Sequence, residues 1–463
     1  MAGLLIAAAA VLGLLRSPRG GFFLVLVLGS SVLQFGSLVF TAGGVQSDAV
    51  EALSYGLMAV WAFEYLRGRV RIESPFAVAA VVLVCAVAAG TLVGFARGST
   101  FHDMLGYIKG WLTYALVVPI ASWFATREDR DLLERWVIGI CVVGGVIALV
   151  VGFSGATVGF IGIRPYDVVT LGSTAENIQR IRPDLVALLV LATLLVAARV
   201  VHSGLSAGRA AVLALFGLLH AVSFTRSTWV PLIIALGVLG VAHPGPRRHL
   251  RGLRVALGAV LISASLLVAA GAGALGPTAE AFAFRLSSVT DPAVLREDSY
   301  SDRESENASA IATLRANPLT GVGVAQFYGA RRPVYLPNPP RIVFVDRFTL
   351  HNQYLFVWLQ LGSIGMVALG ALAVAVVRTA RVVRRIVPED DAARCFAAAL
   401  AVFCVGLQAT FQTIVLYPAH VLAMVCALVL AAPPRDVANT EMQADPQARV
   451  APSPSHSRRS ASR

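Results

Sequence analysis

The sequence predicts an all-α polytopic membrane protein with twelve or thirteen transmembrane helices, and two observations predict this fold class. The first is composition: of the 463 residues, 57% are hydrophobic and 14% are charged, whereas soluble domains carry about 25% charged residues. The second is that apolar runs near the roughly 20 residues that a bilayer requires recur from end to end. With a mean hydropathy of +0.74, most of the chain is expected to lie in lipid.

The predicted helices follow the apolar runs in chain order. They lie at 4–15, 21–41, 50–66, 76–96, 104–125, 134–153, 183–201, 208–222, 227–243, 252–275, 353–377, 395–411 and 414–431. The first run is short, so it either spans the membrane incompletely or lies at the interface, which leaves the number of spans open by one. The opening MAGLLIAAAA has no basic region, and no cleaved signal peptide is expected.

Arginine placement predicts the orientation, because cytoplasmic connections of membrane proteins carry an excess of basic residues. Alternate connections are rich in arginine, whereas 42–49 and 412–413 have none. We therefore expect the arginine-rich connections to be cytoplasmic. The net charge of +12 is then explained by membrane-flanking anchors, and no nucleic-acid partner is expected.

This orientation divides the chain into four parts. They are N-terminal transmembrane helices at 1–275 with an outer loop at 154–182, a large extracytoplasmic loop at 276–352, C-terminal transmembrane helices at 353–432, and a disordered cytoplasmic tail at 433–463. Long outer loops between tightly connected helices usually carry function. The five cysteines lie in or beside apolar runs without CxxC spacing, which indicates neither a disulfide framework nor a metal site.

The large loop is expected to be partly helical and to bind an anion. The segment RESENASAIATLRA, from Arg303 to Ala316, has the apolar spacing of a short amphipathic helix, and the GVGVAQF that follows predicts a flexible turn. Acidic residues crowd the first half of the loop and arginines dominate the second half. Basic residues of membrane proteins tend to lie on the cytoplasmic side, so arginines in an outer loop require a reason. Binding of an anionic ligand is one such reason.

Three other residues stand out at the membrane boundary. His351 precedes the run 353–377, where a histidine can accept a proton from a hydroxyl near neutral pH; the structural alternative is a cap on the following helix or a hydrogen bond to the loop. Arg226, in SFTRSTW, lies in a very short turn between two apolar runs, where a charge is either functional, paired or snorkelling to water. Lys109 is best explained by snorkelling.

Three segments together resemble the O-antigen ligase and O-antigen polymerase superfamily of bacterial polysaccharide enzymes, over about residues 76–431. SFTRSTW resembles the Ser-Arg turn between two spans, at Arg226. DRESENASAIATLRANPLTGVGVAQF resembles the Arg-headed outer helix and its Pro-Leu-x-Gly-x-Gly turn, with Arg303 at the head. HNQYLFVWLQLGSIG resembles the His-Asn-x-x-Leu segment, at His351 and Asn352.

The chain departs from the family pattern at three points. Gln360 stands where family members often carry Glu, so no acid role is expected there. Thr225 precedes the arginine of the turn, and the tryptophan common after the arginine of the outer helix is absent. These departures do not change the superfamily that the chain resembles, but they leave its subfamily undetermined.

The resemblance implies a metal-independent membrane glycosyltransferase without a cofactor, in the bacterial cytoplasmic membrane, with its site on the outer side. Its donor would be a glycan on undecaprenyl pyrophosphate, and its acceptor a hydroxyl of a lipid core, of another repeat unit or of another envelope glycan. Membrane lipids and polysaccharide-assembly proteins are the expected partners. Ligase and polymerase differ only in the acceptor, and the residues leave that choice open.

The chemistry that the resemblance implies assigns roles to the candidate residues. Arg226 and Arg303, with Arg285 and Arg347 behind them, are expected to bind the pyrophosphate, and negative charge grows there as the anomeric bond breaks. His351 is expected to act as the base toward the acceptor hydroxyl or, when protonated, as a cation for the pyrophosphate. Asn352 is expected to support it.

Two other classes of protein compete with the glycosyltransferase. A small-anion transporter predicts broken helices near mid-membrane, internal symmetry and ionisable groups at bilayer depth, and the sequence indicates none of these. A non-catalytic envelope scaffold, whose arginines hold lipid head groups, leaves His351 without a role. Its substitution would then change nothing.

Overall fold

The computed structural model describes most of the chain, with gaps. It covers 13, 16–30, 40–42, 45–47, 49–72, 74–154, 168–170, 177–179, 185–223, 226–242, 298–329, 332–337, 340–345, 350–410 and 418–436. The predicted run at 252–275 lies outside the described residues, as do Arg285 and Arg347.

Helices make up most of the described chain. In order they are α1 Pro18–Gly29, α2 Ala49–Leu66, α3 Ala77–Ala96, α4 Phe101–Thr113, α5 Val117–Trp123, α6 Arg127–Ser154, α7 Val186–Ser203, α8 Ala207–Val222, α9 Arg226–Val241, α10 Asp298–Ala316, α11 Gln353–Ile386, α12 Glu389–Gln408 and α13 Pro418–Ala431. Three short antiparallel hairpins pair β1 Phe40–Ala42 with β2 Val45–Ser47, β3 Val168–Thr170 with β4 Asn177–Gln179, and β5 Arg332–Pro337 with β6 Pro340–Val345.

The all-α membrane architecture is confirmed. Five helical segments of the described chain are long and apolar enough to cross a bilayer, namely Ala77–Ala96, Phe101–Trp123, Arg127–Val150, Val186–Ser203 and Gln353–Arg384. Four shorter apolar helices accompany them at Pro18–Gly29, Ala207–Ala221, Ser227–Val241 and Ala419–Ala431. The number of spans stays a prediction.

The bundle packs around two apolar centres. Helix α7 runs through the larger centre and is buried along nearly its whole length, against α6, α8, α9, α12 and α13. The smaller centre joins α3, α4, α10 and α11. Small residues on α3 let α11 approach closely, because a side chain at Gly90 would overlap the Gln360 carbonyl oxygen. Helix α10 therefore rests on α11 at the smaller centre.

Residues 317–329, here called the clamped turn, lock α10 to a break in α11. Gly362 interrupts α11 with φ 66° and ψ −163°. The Leu359 carbonyl accepts from the Val322 and Gly323 amides at 2.7 and 3.2 Å, and the Ser363 amide donates to Leu319 at 2.8 Å. The turn thus replaces the helical hydrogen bond that the break removes, as membrane-buried backbone requires.

Glycine is required where the clamped turn touches its neighbours. Gly323 has φ +92°, and a side chain there would overlap the backbone nitrogen of Gly94 on α3. The Val324 amide donates to Gly90 at 3.0 Å from the same side. Val322, Val324 and Ala325 are buried. The prediction of a flexible turn at GVGVAQF is therefore wrong, because backbone hydrogen bonds from two helices fix it.

One end of the bundle, here called the charged end, contains a network of ion pairs between side chains. It lies where α6 and α12 begin and α7 ends, and Arg394 contacts Asp131, Asp391 and Glu134 there. Arg199 pairs with Glu134 at 2.6 Å. Helix α9 ends beside the last turns of α11, since an Arg384 nitrogen donates to Ala242 at 3.3 Å. Helix α12 starts next and runs antiparallel to both.

Candidate functional site

His351 lies at the end of the bundle opposite the charged end, here called the His351 end. Its Nδ1 is 2.8 Å from Oε2 of Glu306 on α10, and its backbone amide makes a longer contact of 3.4 Å to the same oxygen. The His351 side chain is 54% exposed, whereas that of Glu306 is 10% exposed. A buried carboxylate therefore holds an accessible imidazole, and the two come from positions 45 residues apart.

Asn352 holds the His351 backbone at the entrance of α11. Its Oδ1 accepts from the Tyr354 and Leu355 amides at 3.0 and 3.2 Å, which is a helix N-cap. The Gln353 amide donates to the Ala409 carbonyl at 2.8 Å, which ties the same turn to the end of α12. The cap on α11 is therefore Asn352 and not His351, whereas the other structural alternative, a hydrogen bond between His351 and the loop, is present as the contact with Glu306.

Arg303 lies one turn before Glu306 on α10, so both side chains emerge on neighbouring positions of the helix surface. The Arg303 side chain is partly buried, and it makes no hydrogen bond or ion pair with any residue that the structure describes. Ala310 and Leu314 are buried on the smaller apolar centre and fix the rotation of α10. The helix predicted at 303–316 is confirmed and begins earlier, at Asp298.

Arg226 begins α9, and its side chain lies outside what the structure describes. Cys404 on α12 donates to the Pro231 carbonyl on α9 at 3.3 Å. Arg226 precedes Pro231 by five residues on α9. Ala409 follows Cys404 by five residues at the end of α12, and its carbonyl accepts from the Gln353 amide. Because α9 and α12 are antiparallel, the start of α9 lies at about the level of the start of α11 along the bundle.

The structure thus brings His351, Asn352 and Glu306 together, with Arg303 one turn before Glu306 on α10, and it places the start of α9 at their level. Glu306 was counted in the sequence only as one of many acids in the loop. A signal for it existed: Glu306, Ala310 and Leu314 are spaced by four residues, and all three are buried. No group of three His, Cys, Asp or Glu side chains in the described chain is arranged to hold a metal ion.

Lys109 does not snorkel to water, so that interpretation was wrong. Its side chain is 11% exposed and its Nζ is 3.0 Å from a Glu51 oxygen, which joins α4 to α2 within the bundle. Nearby, Trp111 donates to Oε1 of the buried Gln360 at 3.2 Å and stacks on Phe356. These contacts fix the buried Gln360 side chain between α4 and α11.

Residues 210–370 match the family model described as O-antigen ligase. The matched segment contains the start of α9, the whole of α10, the clamped turn, His351 and the break in α11. The resemblance to the O-antigen ligase and O-antigen polymerase superfamily is thereby confirmed, and it supports an enzyme of the glycosyltransferase type in a multi-pass membrane protein. A search of curated proteins found no match.

Proposed function

From this match to the O-antigen ligase family, we propose that the protein transfers a glycan from undecaprenyl pyrophosphate to a hydroxyl acceptor. The transfer occurs at the outer face of the cytoplasmic membrane, with the His351 end facing outward. One observation carries the proposal: within the matched segment, an accessible imidazole lies beside a helix that presents Arg303 without an ion pair to the described residues. A base and a free cation are what this reaction needs.

The reaction is a single displacement at the anomeric carbon. His351 takes the proton from the acceptor hydroxyl, and the hydroxyl oxygen forms the new bond to the anomeric carbon. The bond from that carbon to the pyrophosphate oxygen breaks, and its electron pair leaves on the pyrophosphate. Attack opposite the leaving group inverts the configuration of the sugar.

Guanidinium groups stabilise the charge that develops on the pyrophosphate. Arg303 leads this assignment, because a partly buried guanidinium without an ion pair is ready for an anion, and Arg pairs with phosphate oxygens in a bidentate manner. Arg226 joins it from the start of α9. Arg285 and Arg347 complete the proposed set from the loop. With this charge supplied by arginines, the transfer is expected to need no metal ion.

The membrane position of the site fits a lipid-linked donor. The apolar surfaces of α3 and α11 below the His351 end expose Val78, Val81, Leu92, Val367 and Val374. The polyprenyl tail is expected to remain among such apolar surfaces in the bilayer, while the pyrophosphate reaches the boundary where His351 and Arg303 lie.

The break in α11 does not favour the transporter. Carriers use the free backbone groups of broken helices to coordinate their ions. In α11, the Leu359 carbonyl and the Ser363 amide are both bonded to the clamped turn. The Lys109 ammonium, which lies within the bundle, is paired with Glu51. The described helices therefore offer no anion site at the break.

A reconstituted transfer assay tests the proposal. The purified protein in lipid nanodiscs receives an undecaprenyl-pyrophosphate glycan and candidate acceptors, with and without a chelator. Transfer that the chelator leaves unchanged is expected; a product lengthened by many repeats identifies a polymerase, and a single capped product identifies a ligase. Absence of transfer with every acceptor would count against the function.

His351→Ala tests the base assignment in the same assay. Loss of the base is expected to lower kcat by about 10²- to 10⁴-fold, the range that general base catalysis contributes. His102→Ala is the matched control, because His102 is an exposed histidine at the start of α4. Full activity of His351→Ala, with His102→Ala also active, would remove His351 from the mechanism.

A further inference from the structure

We infer that Glu306 is a positioning residue that holds His351 in the tautomer with a proton on Nδ1, so that Nε2 is the atom that takes the proton of the acceptor. The inference rests on the proposed glycan transfer for its catalytic meaning. Of the two roles that the sequence left open for His351, it concerns the base.

Hydrogen-bond chemistry fixes the direction of the Glu306–His351 contact. An ionised carboxylate can only accept hydrogen bonds, so at 2.8 Å the Nδ1 nitrogen must donate. In a neutral imidazole the other nitrogen then carries the lone pair. With Nδ1 engaged on Glu306, Nε2 is the nitrogen left for a substrate hydroxyl. The contact of the His351 amide to the same Glu306 oxygen adds a second point of orientation.

The difference in solvent exposure between His351 and Glu306 distinguishes a positioning role for Glu306 from an ordinary surface ion pair. Glu306 is on the buried face of α10 and is 10% exposed, whereas the imidazole is 54% exposed. A carboxylate withdrawn from water is costly unless it is paired and hydrogen-bonded. The exposed ring therefore keeps one side free for a ligand while the buried carboxylate fixes the other side, which is the arrangement that orients a general base.

The charged neighbours of the ring come from α10. Glu306 is the charged side chain that contacts His351 in the described structure, and Arg303 lies one turn away on the same helix. Asn352 at the start of α11 is neutral, and Gln408 at the end of α12 contacts His420 of α13 at 3.3 Å. The Glu306 carboxylate is placed to stabilise the imidazolium that forms as the proton is taken.

Four variants of the full-length protein in nanodiscs test this inference by kinetics. Glu306→Ala is expected to lower kcat by about 10- to 100-fold, less than the loss of the base itself, with the donor KM within about twofold. Glu306→Gln removes the charge and is expected to displace the acidic limb of the pH–rate profile to lower pH. Glu306→Asp should recover part of the rate. Glu304→Gln is the control, because Glu304 is exposed on the same helix.

Three results would overturn the kinetic part. They are a wild-type kcat in Glu306→Ala, an unshifted pH–rate profile in Glu306→Gln, and a raised donor KM with an unchanged kcat. The last result would mean that Glu306 acts in donor binding and does not act through His351.

A spectroscopic measurement tests the same inference without any activity. The protein is labelled with ¹⁵N-histidine, and the His351 signals are those that disappear in His351→Ala. We expect a protonated Nδ1 and an unprotonated Nε2 in the wild type at a pH where the ring is neutral. A wild-type ring protonated on Nε2 would overturn the inference even if transfer is observed. Failure of transfer together with the expected tautomer would instead count against the proposed function alone.

Discussion

Both ends of the helix bundle contain arginines and carboxylates. In the described structure, arginines of the charged end are in ion pairs, whereas the His351 end presents an arginine without one. At the charged end, Arg394 contacts three carboxylates, and Arg127 lies 3.1 Å from Asp391. At the His351 end, Arg303 has no ion pair within the described structure, and Glu306 binds a half-exposed imidazole. The number of charges is therefore less informative than the partners that each charge has.

The difference also separates two uses of arginine. Arg130 donates to the carbonyls of Val429 and Ala432, so it closes the end of α13. Burying a charged group costs free energy unless its hydrogen bonds are made within the chain. Arg303 makes no such bonds to the described residues and is still partly buried. We expect the charged end to determine stability and the His351 end to determine activity.

The largest expected effect is on stability, from Arg394→Ala. The substitution leaves Asp391 and Glu134, which are 3% exposed at their side chains, without their shared cation. Breaking a buried ion pair from one side costs about 3–5 kcal/mol, and we expect the lower end of this range because Arg127 still pairs with Asp391 and Arg199 with Glu134. The thermal unfolding midpoint in nanodiscs measures the loss. Arg381→Ala is the control, because Arg381 is exposed on α11. Equal midpoints for the two variants would contradict a stabilising role for the charged end.

Arg303→Ala is expected to give the opposite pattern, with activity lost and stability kept. Removing one preorganised donor to a developing oxyanion lowers kcat by roughly 10²- to 10³-fold, or about 2.7–4 kcal/mol of transition-state stabilisation. The unfolding midpoint should stay unchanged, because the guanidinium makes no ion pair that the structure describes. Arg315→Ala, on the exposed surface of the last turn of α10, is the matched control for transfer.

A lower unfolding midpoint for Arg303→Ala, with little change in the rate of glycan transfer, would contradict the proposed difference between the two ends. Arg303 would then belong with the paired arginines of the charged end.

Helix interiors were predictable from the sequence, because burial in lipid needs only an apolar run. The runs 76–96 and 208–222 agree with α3 and α8 within one residue at each end. The starts of α6 and α12 were placed six or seven residues late. Their first turns are charged, and tertiary ion pairs keep those turns helical at the charged end.

The candidate site was predictable only in part. His351 and Asn352 follow from their place before an apolar run and from the family resemblance. Glu306 has no assigned role in the sequence, because its partner lies 45 residues away and its four-residue spacing with Ala310 and Leu314 marks a buried helix position without identifying that partner. The clamped turn was misjudged for the same reason. Glycine permits flexibility in isolation, and only the backbones of α3 and α11 reveal that these glycines are there for close contact.

The smallest expected effect is that of Gly323→Ala, with Gly98→Ala as its control. Both glycines have a positive φ, of +92° and +90°, so both variants carry similar backbone strain. A side chain at Gly98 meets open space, whereas one at Gly323 overlaps the backbone of Gly94. The difference between the two unfolding free energies therefore isolates the packing of the clamped turn. We expect it to be about 1–3 kcal/mol, as for overpacked cores.

The same pair of variants tests whether the clamped turn also serves the His351 end. The turn follows α10, which carries Glu306, and it bonds to α11 eight residues after His351, at Leu359. If it sets the distance between the two side chains, Gly323→Ala should lower kcat while Gly98→Ala should not. A stability loss with full transfer would mean that the Glu306–His351 hydrogen bond holds the two helices without the turn. The clamped turn would then belong with the charged end as a stabilising feature.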